Sequence, residues 1–362
     1  MINGPDAAGA ASIVAGTVLV ALNLADIFRS VILPRATSPR LRLSARAVRM
    51  TWPLWRRAAL NISDADRREG LLGAFAPLAL VGFLALWGSG LILGYGLIFY
   101  GLRFELRPLP DFGTAFYYAG TSFLTIGYGD YVATGGIARF VSLLAGASGF
   151  ATVAIVTTFL FSVFGAFGAR ENFVVTFATR AGAPPSGVTL LETYSRFGLM
   201  DDLDDVFEDG LRWSASVLES HLAYPILAYF RSSHEHESWI AALGALLDAS
   251  TLKLTLVDDG AFGHAKLCNE MARHAVRDLG LYFGFATGDV AGVERPEFEA
   301  ARERLRAAGV PVRDPDDAWD KFVTLRSAYA TPLNAMAGYF SIPPAQWVGD
   351  RSLISHRSPA AG

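Results

Sequence analysis

The 362-residue sequence is poor in cysteine, with Cys268 as its sole example, so no disulfide framework can form within one chain. It also lacks runs that alternate apolar and polar residues, and it has no convincing internal repeat, which argues against a β or repeat architecture. No nucleophile–base–acid set or metal-ligand spacing stands out, so neither an enzyme nor a resident cofactor is expected. Charge is absent altogether from residues 71–100 and 140–169, each 30 residues long. About 20 apolar residues cross a bilayer core, so both stretches predict membrane-spanning helices that tilt or run on beyond the hydrocarbon.

Charge divides the chain in two. Residues 1–170 hold 14 Arg and Lys against 8 Asp and Glu, a net of +6, whereas residues 171–362 hold 17 against 26, a net of −9. The overall −3 thus conceals a basic membrane half and an acidic half of soluble character. This balance gives no support to a nucleic-acid partner.

Residues 1–34 contain a third apolar stretch, interrupted by Asn23, Asp26 and Arg29. It has no positively charged start, so it does not read as a cleaved secretory signal. It is read as a membrane helix ended by Pro34, with an interfacial helix as the alternative. Residues 35–70 carry nine arginines against three acids, which marks the cytoplasmic side of a cell membrane and places 101–112 outside. Trp52 and Trp55 among those arginines suggest a helix lying in the inner leaflet, where an anionic-lipid site is conceivable.

Between the two long apolar stretches lies a compact block. Pro108 and Pro110 end the outer helix, and Asp111 can cap a new one near Phe112. FGTAFYYAGTSFL is too short to cross, so it should enter and return. TIGYGD (125–130) follows. A dehydrated cation needs replacement oxygens, and backbone carbonyls can supply them when several chains present one short segment around an axis. Turning consecutive carbonyls inward requires backbone angles that Gly127 and Gly129 tolerate. The Thr125 hydroxyl can add an oxygen at the inner mouth. Tyr128 should point into an aromatic wall with Tyr117 and Tyr118, and Asp130 should bond that wall from the outer end.

This segment resembles the pore-loop potassium channels, whose filter is written T-[VI]-G-[YF]-G-D. The resemblance covers roughly 71–170 and implies that carbonyls of Thr125, Ile126, Gly127 and Tyr128, with the Thr125 hydroxyl, line four K+ sites closed by Gly129. It implies a passive K+ channel in the lipid bilayer, and one filter per chain implies a homotetramer. A potassium-uptake transporter subunit or a non-selective cation channel is the alternative. Family inner helices often carry a glycine hinge; Gly149 has that spacing and Gly146 lies one turn earlier, although close packing also selects glycine. Phe150, Val153, Thr157 and Phe161 are expected on the cavity and gate. One position departs: some members have glutamate where this chain has Thr121.

The expected architecture is an all-α membrane protein: the N-terminal helix 1–34, the Arg-rich segment 35–70, a pore domain 71–170, a linker 171–187, a helical cytoplasmic domain 188–342, and a loosely ordered tail 343–362. No G-x-G-x-x-G follows a strand, so a Rossmann-type regulator is not expected. The histidines all fall in the C-terminal half. His221, His234, Glu235, His236 and Glu237, the pairs His264–Cys268 and Glu270–His274, and the acid run 201–210 were weighed as metal or pH sites, with solvated or core positions as the default. The domain is either a sensor for an unidentified cytoplasmic ligand or an assembly module.

Overall fold

The computed structural model describes residues 6–32, 43–234, 236–258, 260, 262–285, 288 and 290–350. Arg35, Arg40, Arg42, Glu235 and the tail from 351 therefore lie outside the described residues. The chain is an all-α membrane protein, in which three helices are long and apolar enough to cross a bilayer. Its contacts divide it into two compact units, Met1–Phe164 and Gly165–Gly362.

In the first unit, α1 (Ala7–Ile27) continues as a π-helical turn, Phe28–Ile32, and lies against α3 (Ala65–Gly101). The two run antiparallel. Asp6 pairs with Arg103 at 2.9 Å, the Ser12 hydroxyl donates to the Leu97 carbonyl at 2.8 Å, and Trp87 Nε1 donates to Asp26 at 2.8 Å. The two helices thus lie alongside one another over most of the length of α1. Small residues permit the approach: a Cβ on Gly94 would press on Val20, and one on Gly16 on Ile98. Asn23 and Asp26, the polar interruptions of the sequence, are both buried in this seam.

Helix α2 (Leu43–Leu60) packs on the beginning of α3. Trp52 is buried, with its ring edge-on to Phe75 at 4.9 Å, and Trp55 Nε1 donates to the Leu71 carbonyl at 2.8 Å. Both tryptophans face α3, a choice of helix face that composition alone does not reveal.

After α3, the strand β1 (Leu106–Arg107) pairs antiparallel with β2 (Val132–Ala133), and α4 (Phe112–Phe123) lies between them in the chain. Helix α5 (Gly136–Ala181) then runs unbroken for 46 residues. Residues 171–181, expected as linker, are thus helical, and the turn is confined to the Gly/Pro segment before Ser186 caps α6 (Gly187–Arg196).

The second unit surrounds α8 (Trp239–Thr255), which is buried along nearly its whole length, as expected of a helix apolar on every side. Helices α6, α7 (Leu203–Ala223), α9 (Gly263–Phe283) and α11 (Pro315–Phe340) pack on it, and α10 (Arg295–Ala307) lies against α6 and α11. Asp248 is the buried acid of α8. Arg326 pairs with it at 2.9 Å and Tyr329 donates to it at 2.7 Å. Arg326 also donates to the carbonyls of Ala291 and Trp347, so the pair sits in a wider hydrogen-bonded set. The described part of the expected loose tail is packed instead: Trp347 and Val348 are buried, and Asp350 accepts from the Trp347 amide.

Candidate functional site

Helix α4 starts where its cap predicts. The Asp111 carboxylate accepts from the Thr114 amide at 2.7 Å and from its hydroxyl at 2.6 Å, replacing a bond that the first turn lacks. Twelve residues give about 18 Å of helix, too little to cross. The β1–β2 pair draws the two ends of the loop together, and Glu105 accepts from the Ala138 amide at 2.8 Å, fixing the start of α5.

At the end of α4 the backbone folds back on itself. The Thr125 amide donates to the Ser122 carbonyl at 3.1 Å, and the Ile126 amide to the Thr121 carbonyl at 2.8 Å. Positive φ then occurs at every second residue: 55° at Thr125, 60° at Gly127 and 83° at Gly129. In an ordinary extended chain successive carbonyls point to opposite sides. Left-handed angles at alternate residues rotate the peptide planes so that successive carbonyls can share one side, the arrangement an oxygen-lined path requires. Glycine accepts such angles readily. A β-branched residue does not, so Thr125 is a strained position that the sequence reading missed. Its two flanking amide bonds to the end of α4 hold it there.

The surrounding side chains divide by role. The Tyr118 hydroxyl lies 2.8 Å from Ser142 Oγ, and its ring meets Phe99 edge-on at 4.8 Å, so it ties α4 to α3 and α5. The Thr121 hydroxyl bonds the Tyr118 carbonyl at 3.1 Å, within its own helix. Thr121 thus brings no carboxylate to the position, four residues before Thr125, where a glutamate would offer one. Ile126 and Tyr128 are 47% and 69% exposed in a single chain. A cavity of about 550 Å³ behind them is lined by residues including Tyr118, Thr121, Tyr128 and Asp130.

On α5, Gly146 and Gly149 face the end of α4. A Cβ on Gly149 would collide with the Phe123 carbonyl, while one on Gly146 would stand 3.5 Å from the Ser122 carbonyl oxygen. The helix is unbroken at both positions. Phe150, Val153, Thr157 and Phe161 recur at helical spacing and are all exposed in the single chain.

In the second unit the histidine candidates separate. His264 faces Asp204 at 3.2 Å, Cys268 is buried, and His274 pairs with Asp278 at 3.1 Å rather than with Glu270. His234 lies 4.0 Å from Glu237, and His236 has a φ of 62°. Among the described residues no three His, Cys, Asp or Glu side chains are placed to hold a metal ion. The acid run opens α7, where Asp204 and Asp205 oppose the positive end of the helix dipole. Beside it a cavity of about 510 Å³ is lined by Arg180, Tyr194, Phe197, Asp202, Asp205 and Asp209, among others.

His221 behaves differently from the exposed histidines. It is wholly buried, its Nδ1 is 2.8 Å from the Val217 carbonyl, and its Nε2 is 3.3 Å from Arg170 Nη1. Burial, and then the neighbouring guanidinium, hold its pKa well below the ordinary histidine value. The neutral ring thus donates at Nδ1 and accepts at Nε2. Arg170, near the end of α5, also donates to the Leu227 carbonyl at 2.9 Å and the Phe230 carbonyl at 3.0 Å, and pairs with Glu171 at 2.9 Å. Sequence reasoning placed Arg170 only as a boundary, because a lone arginine after an apolar run carries no sign of burial.

Comparison with known proteins agrees with the geometry. The chain is 25% identical over 176 residues to the uncharacterized membrane protein YdjJ of Bacillus subtilis (strain 168), an overlap covering 48% of this chain and 51% of that protein. The chain thus spans about half the length of the curated relative it matches. No solved structure matches it. A family model described as "Ion channel" matches residues 88–166. That stretch contains the later part of α3, all of α4, the TIGYGD segment and most of the apolar part of α5.

Proposed function

We propose that this chain is one subunit of a potassium-selective channel, conducting K+ passively through a central pore made by four copies in the cell membrane. The observation that carries this reading is the alternation of positive φ at Thr125, Gly127 and Gly129 directly after a re-entrant helix. Carbonyls of Thr125, Ile126, Gly127 and Tyr128 would replace the ion's water, with the Thr125 hydroxyl at the inner mouth and Gly129 closing the outer end. The exposure of Ile126, Tyr128, Phe150 and Phe161 in a single chain supports assembly, since large apolar side chains seek cover from neighbouring subunits or lipid. The arginine-rich segment supports a cytoplasmic position for the second unit. There the clamp around Arg170, and the cavity beside Tyr194 and Asp205, are consistent with a ligand-responsive domain acting on α5.

Reversal potentials of the purified, reconstituted protein in mixed K+ and Na+ test the proposal. They should follow the potassium gradient, and Gly127→Ala should abolish that selectivity. A reversal potential indifferent to potassium, or normal selectivity in Gly127→Ala, would overturn it.

A further inference from the structure

Helix α2 is the element that the pore does not use, and its residues fall on three edges. At about 100° per residue, Val48, Trp52, Trp55 and Ala59 share one edge, and it is the edge turned to α3. Rotating one way from there leads to Ala47, Met50, Thr51 and Leu54, with Met50 67% and Leu54 65% exposed. Rotating the other way leads to Arg46, Arg49, Arg56 and Arg57. A helix packed on a soluble core needs only an apolar and a polar face. A second apolar edge, separated from the first, calls for a second apolar medium.

Depth along α3 indicates which medium. The uncharged run of α3, residues 71–100, is longer than the roughly 20 residues that cross a hydrocarbon layer about 30 Å thick. The uncharged run opens at Leu71, so Leu71 and Phe75, which hold α2, lie at its inner end, where the crossing helix meets the headgroups. We propose that α2 is a binding site for anionic lipid headgroups, with Met50 and Leu54 dipping into the acyl boundary and Arg46, Arg49 and Arg57 binding lipid phosphates. Arg46, Arg49 and Arg56 have other interactions within the chain as well. Five N–H donors let one guanidinium serve a protein group and a phosphate oxygen together. The inference requires only that α3 crosses the bilayer, not that the pore selects potassium.

The test uses the full-length protein. Binding of a fluorescent phosphatidylglycerol to the detergent-solubilised protein is compared for wild type, Arg46→Gln/Arg49→Gln/Arg57→Gln, the same three positions as Lys, and Arg277→Gln/Arg306→Gln in the second unit as a control off α2. Each basic residue near an anionic surface contributes about fivefold, so the α2 Gln variant should bind on the order of a hundredfold more weakly. The Lys variant and the control should stay near wild type, and the matching phosphatidylcholine probe should bind all four alike. Equal loss in the control, or none in the Gln variant, would overturn the site. So would loss accompanied by dissociation on size exclusion, which would assign the arginine edge to a second copy of the chain. Competition by inorganic phosphate with full loss of lipid binding would equally overturn a lipid assignment, because it would mark a site for the free anion. Independently, a fluorophore on Leu54→Cys should be quenched by brominated lipid in phosphatidylcholine–phosphatidylglycerol vesicles, since Cys268 is buried and silent. Quenching by aqueous iodide instead would refute the membrane edge.

Discussion

Replacing Gly149 by alanine separates two explanations of the inner-helix glycines. If Gly149 is a hinge, its substitution stiffens α5 and changes how the channel opens, leaving the filter alone. The structure favours close packing: a Cβ there would run into the Phe123 carbonyl at the end of α4, two residues before Thr125. The backbone carbonyl cannot rotate aside like a flexible side chain, so α4 or α5 must shift by a bond length or more. Overpacking of this kind costs about 1–3 kcal/mol per site. In the proposed ring the change occurs four times, giving about 4–12 kcal/mol, comparable with the whole stability of a typical domain. Gly146→Ala is the internal control. Its Cβ meets the Ser122 oxygen at 3.5 Å, an ordinary contact, and alanine favours the helix by about 1 kcal/mol. Thermal dissociation of the oligomer and K+/Na+ permeability ratios are the readouts. Gly149→Ala should lower both sharply and Gly146→Ala neither. A Gly149→Ala protein with wild-type assembly and selectivity but altered opening would refute the packing argument and restore the hinge.

Two further outcomes follow from the same geometry. The unfolded chain binds a proton on His221 near pH 6.5, whereas the folded chain holds that imidazole neutral well below this value. Its contribution to stability is therefore full above about pH 6.5 and is lost as pH falls further; melting temperatures should decline on acidification more steeply for wild type than for His221→Gln, and parallel curves would exclude the assignment. Orientation is accessible through cysteine, because burial pushes the Cys268 thiol up to about 12 and leaves a silent background. On intact cells a membrane-impermeant maleimide should label Asp6→Cys but not Asp66→Cys, and the reverse pattern would invert the proposed topology.

What could be read from the sequence follows from where the chemistry resides. The proposed filter is a backbone device, so its requirements surface as glycines at fixed spacing. The limits of α4 were legible because prolines and Asp111 act locally. The buried course of α8 was legible because WIAALGALL is apolar on every side. Features that depend on distant partners were not. Trp52 and Trp55 suggested a helix in the inner leaflet, but nothing local named their partners Phe75 and Leu71, sixteen or more residues away in the chain. Trp347 looked like part of a loose end, yet its carbonyl receives Arg326, whose own burial is made tolerable by Asp248. Thr125 exposes the opposite failure: a residue type that argues against positive φ adopts it because neighbouring hydrogen bonds leave no alternative.

The burial of Arg170 fixes how the C-terminal part of α5 is held within the second unit. A helix end joined by a flexible Gly/Pro linker would transmit little, since the linker would absorb the motion. Helix α5 instead carries its register to Ala181. Arg170 lies within it, donating to the Leu227 and Phe230 carbonyls and facing His221, and the Arg170 carbonyl accepts from Trp213 Nε1 at 3.2 Å. Hydrogen bonds from a charged donor contribute about 1.5–3 kcal/mol each. Turning this part of α5 without its surroundings would break several such bonds and strand a buried charge, a cost of several kcal/mol for each chain. Less free energy is needed to move α5 together with α7 and the turn at Leu227–Phe230 as one body. Within the second unit, Arg170 thus ties the C-terminal part of α5 to α7 and to the turn at Leu227–Phe230.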